Sequence, residues 1–342
     1  MTVAPPDPAV AAAARERLAA LATPAGALGR LGDLAIWTAA ALGEVPPPEL
    51  RNVRLVIFAG DHGVAQHGVS AYPPAITAAM VRTFLAGKAG VTALARAHDV
   101  AVRVLDLGVD DDLAGVPAEV TAFKVGRGSR PIHLEDALTA EECRRALDAG
   151  AEVARQEIAA GGQLLLSGDM GIGNTTPAAA LIAVGLGLPA SEVTGRGTGV
   201  DDATLAHKRL IVDEAIARVC PLDSPVDTLA ALGSADLAAT TGYLVEAARN
   251  GVPVLLDGLM SVACALMADR IEPGATAWFA AGHRSTEPAQ SLALDKLGLS
   301  PVLDLGMRLG EGSGAVAAVP VLRSAVALLR DVALLADLMP PA

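Results

Sequence analysis

Two hydrophobic patterns divide the chain. Over residues 8–22 and 27–43, Leu18, Leu21, Leu28, Leu31, Leu34, Ile36 and Trp37 recur at helical intervals. They predict two helices joined by a turn at Thr23-Pro24-Ala25-Gly26. Beyond the hinge Pro46-Pro47-Pro48, short apolar runs alternate with alanine-rich stretches of helical character. The runs are Arg54–Ala59, Ala101–Leu107, Gln163–Ser167, Pro253–Asp257, Thr276–Ala280 and Pro301–Leu305. Helices are predicted over Ala75–Ala86, Ala140–Ala159, Pro177–Leu186, Asp202–Arg218 and Leu237–Asn250. Runs that are apolar throughout, spaced by helices, specify an α/β fold with a parallel sheet covered on both faces. A last helix is expected over Ala315–Leu338, bent or broken at Pro320.

In such a sheet, ligands bind beyond the carboxyl ends of the strands. The loops after the runs are accordingly where reactive side chains and glycines gather. After the first run comes GDHGVAQHGVSAYP, residues 60–73. Asp61, His62 and His67 could be read as metal ligands, but their spacing is not that of helical ligands and no third histidine lies near. The same residues could hold adjacent loops by hydrogen bonds, or the loop could contact substrate through Ser70 and Tyr72.

The segment LLLSGDMGIGNTTPAAAL, residues 164–181, reads as strand, glycine loop and helix, with Thr175 or Thr176 as the helix cap and Pro177 in its first turn. The N-terminus of that helix is a natural anion site. Gly168 to Thr175 nearly matches a Walker A loop, but Asn174 stands where the lysine would be. The nucleotide-binding pattern GxGxxG also fails, at Thr176. A phosphate cradle without a triphosphate lysine suits a monophosphate ester, with Gly171, Gly173, Asn174 and Thr175 as candidates.

Lys208 follows on the helix after GRGTGVDD; it is either a surface lysine or the partner of a phosphate or carboxylate. Asp257, at a strand end, could meet a ribose hydroxyl or cap the following helix. The loop GHRSTEPAQ offers Gly282, Ser285 and Glu287. Last comes LDLGMRLGEGSGA, residues 303–315, with Glu311 between Gly310 and Gly312. A carboxylate there is either a partner of the helix dipole or a general base.

Composition narrows the partners. The 342 residues suffice for one large domain or two modest ones, and 52% hydrophobic against 19% charged residues excludes a disordered body. Aromatic residues are only 2%, too few for base-stacking platforms, and the net charge of −12 repels nucleic acid and anionic lipid. Cys143, Cys220 and Cys264 have no metal-type spacing and read as buried thiols of a reducing, cytoplasmic compartment. The N-terminus lacks the pattern of a signal peptide. The uncharged stretch Met170–Ser191 is too rich in glycine, proline and polar residues for a membrane span.

Taken in order, TPAGALGRLGDLA (23–35), GDHGVAQHGVSAYP (60–73), GDMGIGNTTPAAA (168–180), GRGTGVDD (195–202), GHRSTEPAQ (282–290) and LDLGMRLGEGSGA (303–315) resemble the nicotinate-nucleotide–dimethylbenzimidazole phosphoribosyltransferases of cobalamin lower-ligand assembly. The resemblance implies a Rossmann-like parallel sheet, a homodimer and no metal or bound cofactor. It also implies a small helical domain from residues 1–45 and 315–342, with the large α/β domain over 50–314. The implied reaction moves phosphoribose from nicotinate mononucleotide to 5,6-dimethylbenzimidazole, with inversion, Glu311 being the base. Gly171, Gly173, Asn174, Thr175, Lys208, Asp257 and Ser285 would hold phosphate and ribose, and Ser70, Tyr72, Met80, Asp169 and Leu309 the acceptor. Two positions depart from the family pattern: Asp169 where Glu is frequent, and Ala79 where Gln often precedes the Met. They leave open transfer to adenine, benzimidazole or a phenol. A regulatory nucleotide binder without chemistry is the contrasting class, but it would have no use for the RLGEGSG loop.

Overall fold

The computed structural model describes residues 2–219 and 222–338. Six strands form one parallel sheet: β1 (Val53–Gly60), β2 (Ala101–Gly108), β3 (Leu164–Met170), β4 (Val254–Leu256), β5 (Phe279–His283) and β6 (Pro301–Leu303), in the order β2-β1-β3-β4-β5-β6. The chain moves outward from β1 to β2, then returns to place β3 on the other side of β1. That reversal opens a crevice between the carboxyl ends of β1 and β3.

Side chains alternate across the sheet and both faces are covered. Val56, Phe58 and Leu165 pack under the helices Ala140–Ala159, Ala235–Arg249 and Leu259–Ile271. Leu55, Ile57, Leu164 and Leu166 pack under Gly29–Leu42, Ile76–Leu85, Gly90–Ala97 and Ser313–Asp331. Helix Ala140–Ala159 starts where a capping box dictates: Thr139 Oγ1 accepts from Glu142 N at 3.1 Å, and Glu142 Oε2 accepts from Thr139 N at 2.7 Å. The N-terminal helices Pro8–Ala20 and Gly29–Leu42 pack on Ser313–Asp331, and Arg17 Nε donates to Leu329 O at 2.7 Å. The chain ends are thus joined, and the helix that joins them also lies on the sheet.

Four expectations are corrected. Strand β3 runs on through Gly168, Asp169 and Met170 because these pair with Ile57, Phe58 and Ala59 of β1, which leaves a connecting loop of only residues 171–174. Residues 275–278 form a 3-10 turn, so β5 starts at Phe279 and reaches His283. The last helix is continuous through Pro320 and stops at Asp331; burial of Val316, Val319 and Leu322 outweighs the missing backbone bond. The helices Gly90–Ala97, Leu259–Ile271 and Pro288–Leu297 were not predicted; the middle one is buried all round over Leu259–Ala268 and so shows no periodicity.

Ser313–Asp331 is long and apolar enough to cross a membrane, but it is a core helix here, packed on β5 and Gly29–Leu42. Cys143 and Cys264 are buried free thiols; Cys220 lies outside the described residues.

Candidate active site

A cleft of about 450 Å³ opens above the carboxyl ends of the strands, lined in part by Tyr72, Met80, Asp169, Gly171, Asn174 and Thr175. Ser285, Leu309 and Glu311 complete the predicted residues on its wall. Four other predicted residues stand just behind it. Ser70 Oγ is 3.2 Å from Thr198 Oγ1 at the rim. Gly173 makes the turn beneath the loop at φ +89°. Lys208 and Asp257 act from the second layer, as described next.

Lys208 is no surface lysine. Only 1% of it is exposed, and Nζ donates to Thr175 Oγ1 at 2.6 Å. Burial holds its ammonium down to about 8, with the nearby Glu287 carboxylate opposing the shift. Glu287 Oε1 accepts from Gly197 N at 2.8 Å, and Arg308 Nη1 donates to Gly197 O at 3.0 Å. Thr175, Lys208, Gly197, Glu287 and Arg308 therefore form one connected polar group. Neither threonine caps the helix Thr175–Leu186: Asn174 occupies the cap position, and its side chain donates to Asp169 Oδ1 at 2.6 Å instead.

Glu311 lines the same cleft. It is 7% exposed and adopts φ +64°, a left-handed conformation that costs a side-chain-bearing residue about 1–2 kcal/mol. The surroundings enforce it. Asp257 Oδ1 accepts from Gly314 N (2.8 Å) and Ala315 N (3.0 Å), and Oδ2 from Gly312 N (3.1 Å). Asp257 thus caps the last helix rather than the one that follows it in sequence, and fixes the Glu311 loop from behind. From the other side, Val91 N at the start of Gly90–Ala97 donates to Glu311 Oε2 at 3.0 Å. The loop can lie this close to the sheet because residue 168 is glycine; a Cβ there would run into the Glu311 carbonyl oxygen. Burial raises the Glu311 carboxyl above its ordinary range; Asp257 adds to this and the Val91 N–H opposes it.

Much of the remaining lining is apolar, with Ile76, Met80, Met170, Ile172, Leu259 and Met260. Ala79 faces solvent on the helix whose Met80 reaches the cleft. Asp61 accepts from Asp110 N at 2.8 Å and His62 packs beside Asp236, so these two hold loops together. Among the described residues no group of three or more His, Cys, Asp or Glu is placed to hold a metal ion.

A family model described as phosphoribosyltransferase matches residues 3–338. The chain belongs to that family. Similar relatives include the nicotinate-nucleotide–dimethylbenzimidazole phosphoribosyltransferase of Mycolicibacterium paratuberculosis, 52% identical over 339 residues, which are 98% of this chain and 96% of the relative. That of Mycobacterium leprae is 49% identical over 336 residues, 98% and 95% of the two chains. The crystal structure of CobT from Thermus thermophilus superposes with a TM-score of 0.92 at 45% identity, covering 96% of this chain and 98% of its own.

For this phosphoribosyltransferase, sequence reasoning missed Val91, Thr198 and Arg308. Thr198 and Arg308 lie inside two of the quoted motifs, GRGTGVDD and LDLGMRLGEGSGA. Val91 contributes only a backbone N–H, for which no residue type gives a signal.

Proposed function

We propose that this phosphoribosyltransferase transfers the phosphoribosyl group of nicotinate mononucleotide to 5,6-dimethylbenzimidazole, giving α-ribazole 5′-phosphate and nicotinate. The observation that carries the reading is Glu311, buried at a strained backbone angle in the wall of a largely apolar cleft that Thr175, backed by Lys208, also lines. The names of the relatives support the same pair of substrates.

The phosphate is expected at Thr175, Ser285 and the Lys208 ammonium, next to the start of Thr175–Leu186, where the helix dipole favours an anion. Binding a dianion there offsets the cost that burial places on the Lys208 charge. Ser70, Tyr72, Met80 and Leu309 lie where the apolar acceptor would be enclosed, and Met170 and Met260 suit its methyl groups.

In the transfer, the acceptor nitrogen forms a bond to the anomeric carbon as the bond to the pyridinium nitrogen breaks. The bonding pair returns to that nitrogen, so nicotinate departs without needing an acid. The proton on the acceptor's other nitrogen passes to Glu311. Attack from the face opposite the leaving group converts the β-linkage to α. Holding both rings in line supplies much of the rate, and Asp257 acts by fixing the loop that carries the base. The reading includes a homodimer, checked by light scattering, and a cytoplasmic setting in which Cys143 and Cys264 stay reduced.

Purified protein incubated with the two substrates should release nicotinate and α-ribazole phosphate in equal amounts, followed by chromatography with mass detection. Nicotinate without ribazole phosphate would indicate hydrolysis or another acceptor. Nucleotide binding with no turnover across several acceptors would sink the enzymatic assignment.

A further inference from the structure

Beneath the cleft floor lies a set of buried titratable side chains that the transfer does not use. Asp169 Oδ1 accepts from Asn174, while Oδ2 is turned inward without a hydrogen-bond partner. Asp236, in the first turn of Ala235–Arg249, is fully buried, and neither of its carboxyl oxygens is hydrogen-bonded. It packs on Gly60 at the end of β1, where any side chain would collide with its Oδ1. His62 Nε2 lies 3.5 Å from Asp236 Oδ2. The imidazole fills the space under Gly171, where a Cβ would come within 2.5 Å of Nε2.

Two carboxyls buried this deeply and this poorly hydrogen-bonded disfavour ionisation of both. Burial first, and then Asp236, push the Asp169 carboxyl well above its ordinary range. The remaining groups around the pair act in known directions. Asp257 at the end of β4 adds to the push. Cys264, from Leu259–Ile271, is kept a neutral thiol by its own burial. His62 lies against Asp236, with Asp61 beside it in the chain, and Glu311 lines the same cleft as Asp169.

We propose that Asp236 is a positioning residue for the transfer: by sharing a proton with Asp169 it keeps the floor carboxyl neutral, so that Asn174 and the start of Thr175–Leu186 meet the nucleotide phosphate without an opposing charge. The inference rests on the cleft being a nicotinate mononucleotide site. It gives the two cleft carboxyls opposite duties: Glu311 takes a proton, and Asp169 keeps one. Asp236 touches neither substrate.

The test is D236N, which keeps the shape but offers an amide donor to Asp169, so that the Asp169 carboxyl falls back toward its ordinary range by the part that Asp236 contributes. One added charge near the phosphate should raise KM for nicotinate mononucleotide roughly tenfold, with kcat changed less than about threefold. The alkaline fall in kcat/KM should begin about one pH unit lower than in wild type. Lys208 contributes the same alkaline loss to both proteins, so their difference is the readout. Adding D169N to D236N should return KM toward the wild-type value. An unchanged KM and pH profile in D236N would overturn the proposal, as would parallel losses in KM and kcat that D169N does not relieve. If D236N does not fold, D169N alone decides: its alkaline limb should reduce to that of Lys208, and a profile identical to wild type refutes the shared proton. A wild-type protein that fails to turn over the nucleotide would instead refute the substrate reading.

Discussion

Replacing Glu311 by Gln separates proton transfer from everything else the residue does. Gln has the volume of Glu, and its carbonyl oxygen can still accept from Val91 N, so the loop keeps the contact made at 3.0 Å. The residue also keeps its φ of +64°, since Asp257 and the flanking glycines impose it. What disappears is the basic oxygen facing the cleft. General-base catalysis contributes about 10²–10⁴-fold, or about 3–5 kcal/mol of barrier, and kcat should fall by that range. The dissociation constant for nicotinate mononucleotide should stay within about threefold, because the polar group at Thr175 and Lys208 is untouched.

The pH profile sharpens the test. Burial raises the Glu311 carboxyl, and only its ionised form accepts a proton, so wild-type kcat/KM should climb as pH rises through that elevated value. The Gln variant should lack this limb. Stability moves the other way. A carboxyl raised by folding contributes most below its unfolded value, and that contribution is lost as pH rises through the folded one. At neutral pH the wild type carries the cost of a buried carboxylate that Gln does not, so the variant should melt at the same temperature or higher. Steady-state kinetics, nucleotide titration and thermal melting at three pH values suffice. A variant that turns over within threefold of wild type refutes the base assignment and leaves catalysis to positioning.

Lys208→Met should weaken nucleotide binding at least tenfold. It should also stabilise the empty protein near pH 7 by up to about 3 kcal/mol, since a lysine held near 8 rather than 10.5 is charged at a cost there; calorimetry and melting check both. In wild type, nucleotide affinity should decline as pH rises through 8 and the ammonium deprotonates, which fluorescence or calorimetric titration would detect. Asp257→Ala removes the cap on three buried N–H groups, so melting should show a loss of about 2–4 kcal/mol, and kcat should fall as the Glu311 loop loosens. Gly168→Ala places a methyl against the Glu311 carbonyl; activity should drop far more than stability, and equal losses would mean the contact matters only for folding.

The sheet was readable because its strands are apolar throughout and bounded by turn residues, as in Leu164–Leu166 between Gly162 and Gly168. Helix boundaries followed wherever capping chemistry is local, as at Thr139. What escaped depends on contacts distant in sequence. Pairing with β1 draws Asp169 onto a strand, so Gly168 is a packing glycine and the apparent eight-residue phosphate loop contracts to four residues. That contraction leaves no eight-residue loop for a Walker A cradle, in keeping with Asn174 at the lysine position. Glycines around Glu311 signalled a close approach in the sequence, but not that the carboxylate would be met by a helix start 220 residues earlier. Asp236 was invisible for a related reason. An Asp after Ser234 reads as an ordinary helix start, and only the fold removes it from water and puts it behind Asp169.

The charge distribution joins these parts. A protein of net charge −12 has no general attraction for an anionic nucleotide, and the cleft itself carries Asp169, Glu287 and Glu311. Binding therefore depends on how many of those carboxyls are charged and where. Glu287 is committed to Gly197 and to balancing Lys208; Glu311 is held by the Val91 N–H, and burial raises its carboxyl toward neutral pH. Asp169 is neutral for as long as it shares a proton with its buried neighbour. On this reading the ammonium of Lys208 and the start of Thr175–Leu186 are opposed by a single mobile charge, that of the base. Acceptor binding that dries the cleft further would raise the Glu311 carboxyl further, so a carboxylate that enters the complex ionised becomes a stronger base once the acceptor is enclosed. Catalysis then requires the acceptor nitrogen to lie within hydrogen-bond reach of Glu311 as the cleft closes, and the rigid support from Asp257, Gly168 and Val91 is what keeps that distance short.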